Sequence, residues 1–154
     1  MFATESDLQD FIPDAYQHGL NSFSKEIGFA EEDIVNLIKS DWWTEAIRKS
    51  FLISESVDVG GTFGFLPLDT TKLNASALKK LTIYRAAAAY IYPKLSTFKD
   101  VDGDSFSRKA EFYKKAYSEE WDIVKKLALY DFNGDGAFSD IERRLSAGRT
   151  LGRA

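Results

Sequence analysis

The sequence predicts a mainly α fold: a small bundle of about four helices with one short β-hairpin and an extended C-terminal tail. Three observations carry that expectation. A stripe of Ala110, Tyr113, Tyr117, Trp121, Val124 and Ala128 recurs at helical spacing through a stretch with no Gly or Pro. Asn74 stands as a cap before an alanine-rich run whose apolar residues share that period. Period-two alternation is confined to a short region around Gly60-Gly61.

Taken in order, the first segment, Ser6 to Ile27, places Leu8, Phe11, Ile12, Ala15, Leu20 and Phe23 at roughly helical spacing. Ser6 is the expected N-cap, and Pro13 and Gly19 divide the stretch. A second helical region is expected from Phe29 to Ile53, opened by Glu31, Glu32 and Asp33, because carboxylates suit the positive end of a helix. From Ser54 to Asp69, Val57, Val59, Phe63 and Phe65 alternate around the glycine pair, a hairpin pattern that Pro67 ends. The third helix runs from Asn74 to about Tyr92, with Leu78, Leu81, Tyr84, Ala88 and Ile91 on one stripe. Its run from Ala86 to Ala89 is thin enough for a neighbouring helix to approach closely. The fourth extends from about Ser107 to Leu129, supported by Glu111 with Lys115 and Asp122 with Lys126 four residues apart. A short exit helix is expected from Ile141 to Ala147, before Gly148 and the tail.

Size and composition fit one domain over residues 1–154, of 17.4 kDa, with 44% hydrophobic and 14% aromatic residues, enough to bury a core. Residues 143–154 are expected as a basic tail. Without cysteine there is no disulfide framework and no thiolate zinc site. The acidic opening residues do not read as a signal peptide, and the run from Ala86 to Tyr92 is too short to span a bilayer. The net charge of −4 is unevenly placed. Up to Asp33 eight acids face Lys25 alone, a local −7, whereas Arg143, Arg144, Arg149 and Arg153 face no acid, a local +4. An acidic head and a basic tail could meet within the fold or between copies.

The strongest chemical motif is the twelve-residue run from Asp131 to Glu142, which fits an EF-hand calcium loop position by position. Asp131, Asn133 and Asp135 take positions one, three and five. Gly136 takes six, where the chain must turn sharply. Ala137 offers its carbonyl, Phe138 is the apolar residue at eight, Ser139 can hold a bridging water, and Glu142 at twelve is a potential bidentate ligand. Asn-Gly and Asp-Gly dipeptides also mark plain turns. Here every ligand position and the glycine are filled, and a hard cation needs such an all-oxygen set.

A second acidic run, Asp100 to Glu111, has Ser105 at the glycine position and Ser107 at the apolar one. The residues between the two runs read as one unbroken helix, so the earlier run is expected to be a turn before that helix. A calcium sensor opens a helix pair to bare an apolar, often Met-rich groove. With one good loop, and its single methionine at position 1, this chain is expected to use calcium as a structural staple. The alternative is an EF-hand protein that recruits a partner peptide.

Catalysis has little support. His18 is the lone histidine, there is no thiol, and no serine lies in a Gly-x-Ser-x-Gly elbow. Gly60 to Gly64 lacks the Lys-Ser/Thr of a phosphate loop. The pI near 5.1 leaves only the arginine tail to track phosphates.

Two stretches resemble a family. Leu78 to Leu95 is similar to the alanine-rich central helix of head–tail connector (adaptor, or neck) proteins of tailed bacteriophages. Ser107 to Trp121 resembles the long charged and aromatic helix that follows it, and Tyr130 to Gly136 resembles the turn that ends that helix in some adaptors. The acidic, aromatic segment from Asp7 to Tyr16 is in keeping. The resemblance implies a small, mainly helical, non-enzymatic virion protein of the neck, made in the host cytoplasm. It implies rings, typically of twelve copies, under the portal protein, and a platform for the next neck or tail protein. Arg143, Arg144, Arg149 and Arg153 would then dock on the portal. The hairpin region would contact a neighbour or channel DNA, and calcium would stiffen the corner where the tail leaves the body.

Overall fold

The computed structural model describes residues 1–47, 67–97 and 103–146. The hairpin expected from Ser54 to Pro67 lies almost wholly outside these residues, as do the acidic turn at 100–102 and the last eight residues. The described residues are mainly helical, as the apolar periodicity predicts. They form six α-helices and contain no strand beyond one isolated bridge. A plain four-helix bundle is not what forms, because two of the expected helices are interrupted by wide turns.

Helix α1 spans Glu5–Phe11. Its cap is Thr4 rather than Ser6: the Asp7 N–H donates to the Thr4 hydroxyl at 3.2 Å, and the Thr4 N–H donates back to the Asp7 carboxylate at 2.8 Å. Pro13 opens a 3-10 turn, Pro13–His18, which Gly19 ends in the left-handed region at φ 82°. Helix α2, Ser24–Leu37, begins five residues before the expected Phe29. The reason is remote: the Glu5 carboxylate accepts the N–H of Phe23 at 2.6 Å and the Ser22 hydroxyl, and so organises the helix entry. The acids expected at that entry sit mid-helix instead. There Glu31 accepts the backbone N–H groups of Phe2 and Ala3. At Ile38–Trp43 the helix widens into a π turn that sends Ile38, Trp42 and Trp43 into the core.

Helix α3, Ala75–Ala86, starts where the sequence puts it, with the Asn74 side chain accepting the Ala77 N–H at 3.2 Å. The helical run continues past the expected end near Tyr92 and through Pro93. A π turn at Ala87–Ile91 leads into α4, Tyr92–Thr97. The Tyr92 N–H donates to the Ala87 carbonyl, five residues back. This wider turn accommodates the proline ring that a regular ladder would exclude. Leu78, Leu81, Thr82, Ile83, Ala86, Ala87, Ile91, Tyr92 and Leu95 are all buried, so this spine is enclosed on more than one side rather than striped.

Helix α5, Gly103–Val124, packs along α3, the π turn and α4, while α2 packs on α3. It begins four residues before the expected Ser107 and ends five before the expected Leu129. At its C-terminal end, residues 128–131 leave the helix for an antiparallel bridge, Leu73 with Tyr130. The Asn74 side chain donates to the Ala128 carbonyl and its N–H to the Leu129 carbonyl, both at 2.9 Å; the Asp131 N–H donates to the Lys72 carbonyl at 3.0 Å. Helix α6, Asp140–Ser146, follows the acidic loop.

Two core clusters lie along the spine. One, around Tyr92, Phe23, Ile91 and Phe106, joins α1, α2, α4 and the start of α5. The other, around Trp42, Trp43, Trp121, Leu129 and Tyr130, sits against the acidic loop.

Four acids of the head find their cations on the later helices. Asp7 pairs with Lys79 at 2.7 Å, Asp33 with Arg85 at 2.8 Å and Glu26 with Lys94 at 2.6 Å; Asp14 pairs with Lys109. The Lys79 ammonium, aided by Thr4, holds Asp7 down to about 2. Hydrogen bonds from Ser22 and Phe23 lower Glu5. Burial works to raise Asp14, but Lys109 and Tyr92 outweigh it. Depressed carboxylates contribute stability that is fully present above the unfolded range near 4 and lost as pH falls through the folded values. The thermal midpoint is therefore expected to stay level from about pH 7 to 5 and to fall steeply between about 4 and 2. A midpoint still level at pH 2 in a thermal scan would contradict this pairing.

Candidate metal loop

The loop is built from its own short-range hydrogen bonds. Asp131 is buried at 6% exposure, and its two oxygens accept from the Gly134 N–H at 2.6 Å and the Gly136 N–H at 2.8 Å. Both glycines stand at φ 77°, in the left-handed region that disfavours side chains. Gly136 is the turn residue the motif demands. Gly134 is a second one, which the Asn133-Gly134 dipeptide could have signalled. Asn133 accepts from the Asp135 N–H at 2.9 Å, and Asp135 accepts from the Ala137 N–H at 2.7 Å. The Asn133 amide donates back to Asp135 at 2.9 Å, and both side chains are exposed.

Glu142, at 3% exposure, closes the loop on itself. One oxygen accepts the Phe132 N–H at 2.8 Å, and the other accepts the Ser139 N–H at 2.7 Å and its hydroxyl at 3.1 Å. The Glu142 N–H donates back to the Ser139 hydroxyl at 3.3 Å. Ser139 and Glu142 thus form a capping box for α6. The Ser-x-x-Glu spacing carries that signal in the sequence, where reading both positions only as ligands passes over it.

Burial raises Asp131, yet the N–H groups of Gly136, Gly134 and Asp135, with Lys72 nearby, outweigh it and keep the carboxyl below its usual value. It is held as an anion, the form a cation requires. A carboxylate has about four acceptor sites, so these three N–H donors leave acceptor capacity over. The donors available, from Asp131, Asn133, Asp135, Ala137, Ser139 and Glu142, are all oxygen and match a hard cation such as calcium. Among the described residues, no three Asp, Glu, His or Cys side chains are gathered into a metal-holding group. The loop brings Asp131 and Glu142 into its interior, while Asp135, Asn133 and Ala137 lie on its exposed rim.

Aromatic packing fixes this corner to the body. Phe132, at loop position two, stacks on Trp43 at 6.5 Å with an interplanar angle of 8° and meets Tyr130 edge-on at 5.0 Å. Trp43 in turn lies 4.8 Å from Tyr130. The π turn of α2 therefore presents its tryptophans to the loop, a contact that spans some ninety residues and leaves no local sequence trace.

The remaining candidates fall elsewhere. His18 is half-buried and packs edge-on against Phe106 at 4.8 Å. Arg143 is exposed and makes a 3.5 Å ion pair with Asp140 one turn back. The side chains of Arg144, Arg149 and Arg153 lie outside the described residues. No described helix is long and apolar enough to cross a membrane. No protein-family model, no curated protein and no solved structure matches this chain.

Proposed function

We propose that this chain is a structural assembly subunit, a head–tail connector of a tailed bacteriophage, whose C-terminal corner is stapled by one calcium ion. The observation that carries the staple is the twelve-residue loop itself, with Asp131 and Glu142 buried at its two ends and both oriented by loop N–H groups. When bound, the ion would be held by Asp131, Asn133, Asp135, the Ala137 carbonyl, Ser139 and Glu142, and would hold α6 at a fixed angle to the body. The aromatic seat of Phe132 on Trp43 and Tyr130 supports a fixed corner rather than a helix pair that opens.

The connector reading rests on the resemblance of Leu78 to Leu95 and of Ser107 to Trp121. In this reading the chain is non-enzymatic and forms a ring, typically of twelve copies, in the neck of the virion. Its partners are the portal protein and the next neck or tail protein, with DNA in the channel as a further contact. The arginine tail is the docking segment, and the pairing of the acidic head with Lys79, Arg85, Lys94 and Lys109 supports this by giving the head other cations to neutralise it. The test is co-sedimentation with DNA-filled, portal-bearing heads of the parent phage. The full chain is expected to pellet with them, and deletion of Arg149 to Ala154 to abolish attachment. Unchanged attachment of the deleted chain would overturn the docking assignment.

A further inference from the structure

Helix α5 carries a second face that the core does not use. Phe112 is 65% exposed and Ile123 52% exposed, and Ala116 and Glu119 lie between them at spacings of four, three and four, which put all four on one side of the helix. Lys115 flanks the stripe beside Glu119; their contact within the helix is long, at 3.8 Å, and both side chains are largely in water. Exposing two large apolar side chains on one helix face leaves a strip suited to another helix.

The charge order selects the occupant. Around the midpoint of the stripe, a cation at 115 stands opposite an anion at 119, and Phe112 at one end mirrors Ile123 at the other. Two such helices laid antiparallel bring Phe112 against Ile123 of the other copy, and Lys115 against Glu119 of the other copy, twice by symmetry. Laid parallel, they would oppose Lys115 to Lys115 and Glu119 to Glu119, which like-charge repulsion disfavours. We propose that this face of α5 binds a second copy of the chain in an antiparallel, two-fold pair. Such a contact is self-complementary and closes at two copies, so it is distinct from any contact that builds a ring. A strip of about three helical turns falls short of the roughly 800 Å² per partner of a standard interface, so the pair exchanges with monomer as concentration changes.

Sedimentation velocity of the full chain across micromolar to sub-millimolar concentration tests this. The expected result is a concentration-dependent dimer that Phe112→Ser or Lys115→Glu weakens at least tenfold, and that Lys115→Glu with Glu119→Lys restores. Because the chain has no cysteine, geometry is read directly by oxidation. The double variant Phe112→Cys with Ile123→Cys should cross-link rapidly, and each single variant slowly. These positions are exposed, so an unchanged thermal midpoint shows that each variant still folds. A monomer at every concentration, a dimer indifferent to Phe112→Ser, or fast cross-linking of Phe112→Cys alone would overturn the proposal.

Discussion

Tyr92→Ala is expected to destabilise the protein by about 3–5 kcal/mol, a large part of the total stability of a domain this size. Tyr92 is fully buried at the end of the spine. Its ring stacks on Tyr113 at 5.5 Å and on Phe106 at 6.3 Å, and its hydroxyl donates to Asp14 at 3.0 Å. Burial, reinforced by the Asp14 carboxylate, pushes the phenol far above its ordinary value, so it stays a hydrogen-bond donor across the physiological range. Truncation would leave a cavity among α1, α4 and α5 and remove one hydrogen-bond donor from Asp14. Tyr92→Phe separates the two effects. It keeps the ring and leaves Lys109 on Asp14, so it should cost about 1 kcal/mol. Urea denaturation of both variants measures the difference, and near-equal losses would show that the hydroxyl, not the packing, dominates.

Asp131→Ala is expected to cost about 1–3 kcal/mol even in the presence of a chelator, because the Gly134 and Gly136 N–H groups lose their acceptor in a partly buried turn. The same change should abolish any stabilisation by calcium, since the position-one carboxylate is central to the ligand set. Asn133→Ala is the informative contrast. Asn133 is exposed and, among the described residues, bonds within the rim, so its loss should barely move the chelated protein while still weakening calcium binding. Denaturation in chelator, paired with calcium titration by calorimetry, reads both quantities. If the two variants lost equal stability in chelator, Asp131 would not be the keystone of the turn.

Much of this was legible because it is local. Asn74 announces its helix through a cap that reaches only three residues, and the loop from Asp131 to Glu142 declares its turn through Gly136 and its spacing. The buried stripe of α5 at Trp121 and Val124 follows from helical periodicity. What the sequence hid is long-range. The Glu5 carboxylate sets where α2 begins, Lys94 finds Glu26 across 68 residues, and Trp43 is seated on Phe132 of the loop. None of these leaves a periodic signature. The expected end near Tyr92 fails for a related reason: the next residue, Pro93, would end a regular helix, but a π turn just before it changes the ladder it would have broken. Ala128 sits at the right period for α5 yet lies beyond its end, in the segment leading to the Tyr130 bridge, where Asn74 captures its carbonyl.

Thermal unfolding with calcium and with chelator, followed by binding of a dye to exposed apolar surface, tests the calcium staple most directly. Ligation confined to the folded state must raise stability, by about 2.7 kcal/mol at a hundredfold excess over the dissociation constant. A stapled corner predicts a raised midpoint with no new dye binding. A raised midpoint with strong dye binding would instead identify a calcium switch that opens to a partner peptide, and no shift at all would mean that the loop is a hydrogen-bonded turn without an ion.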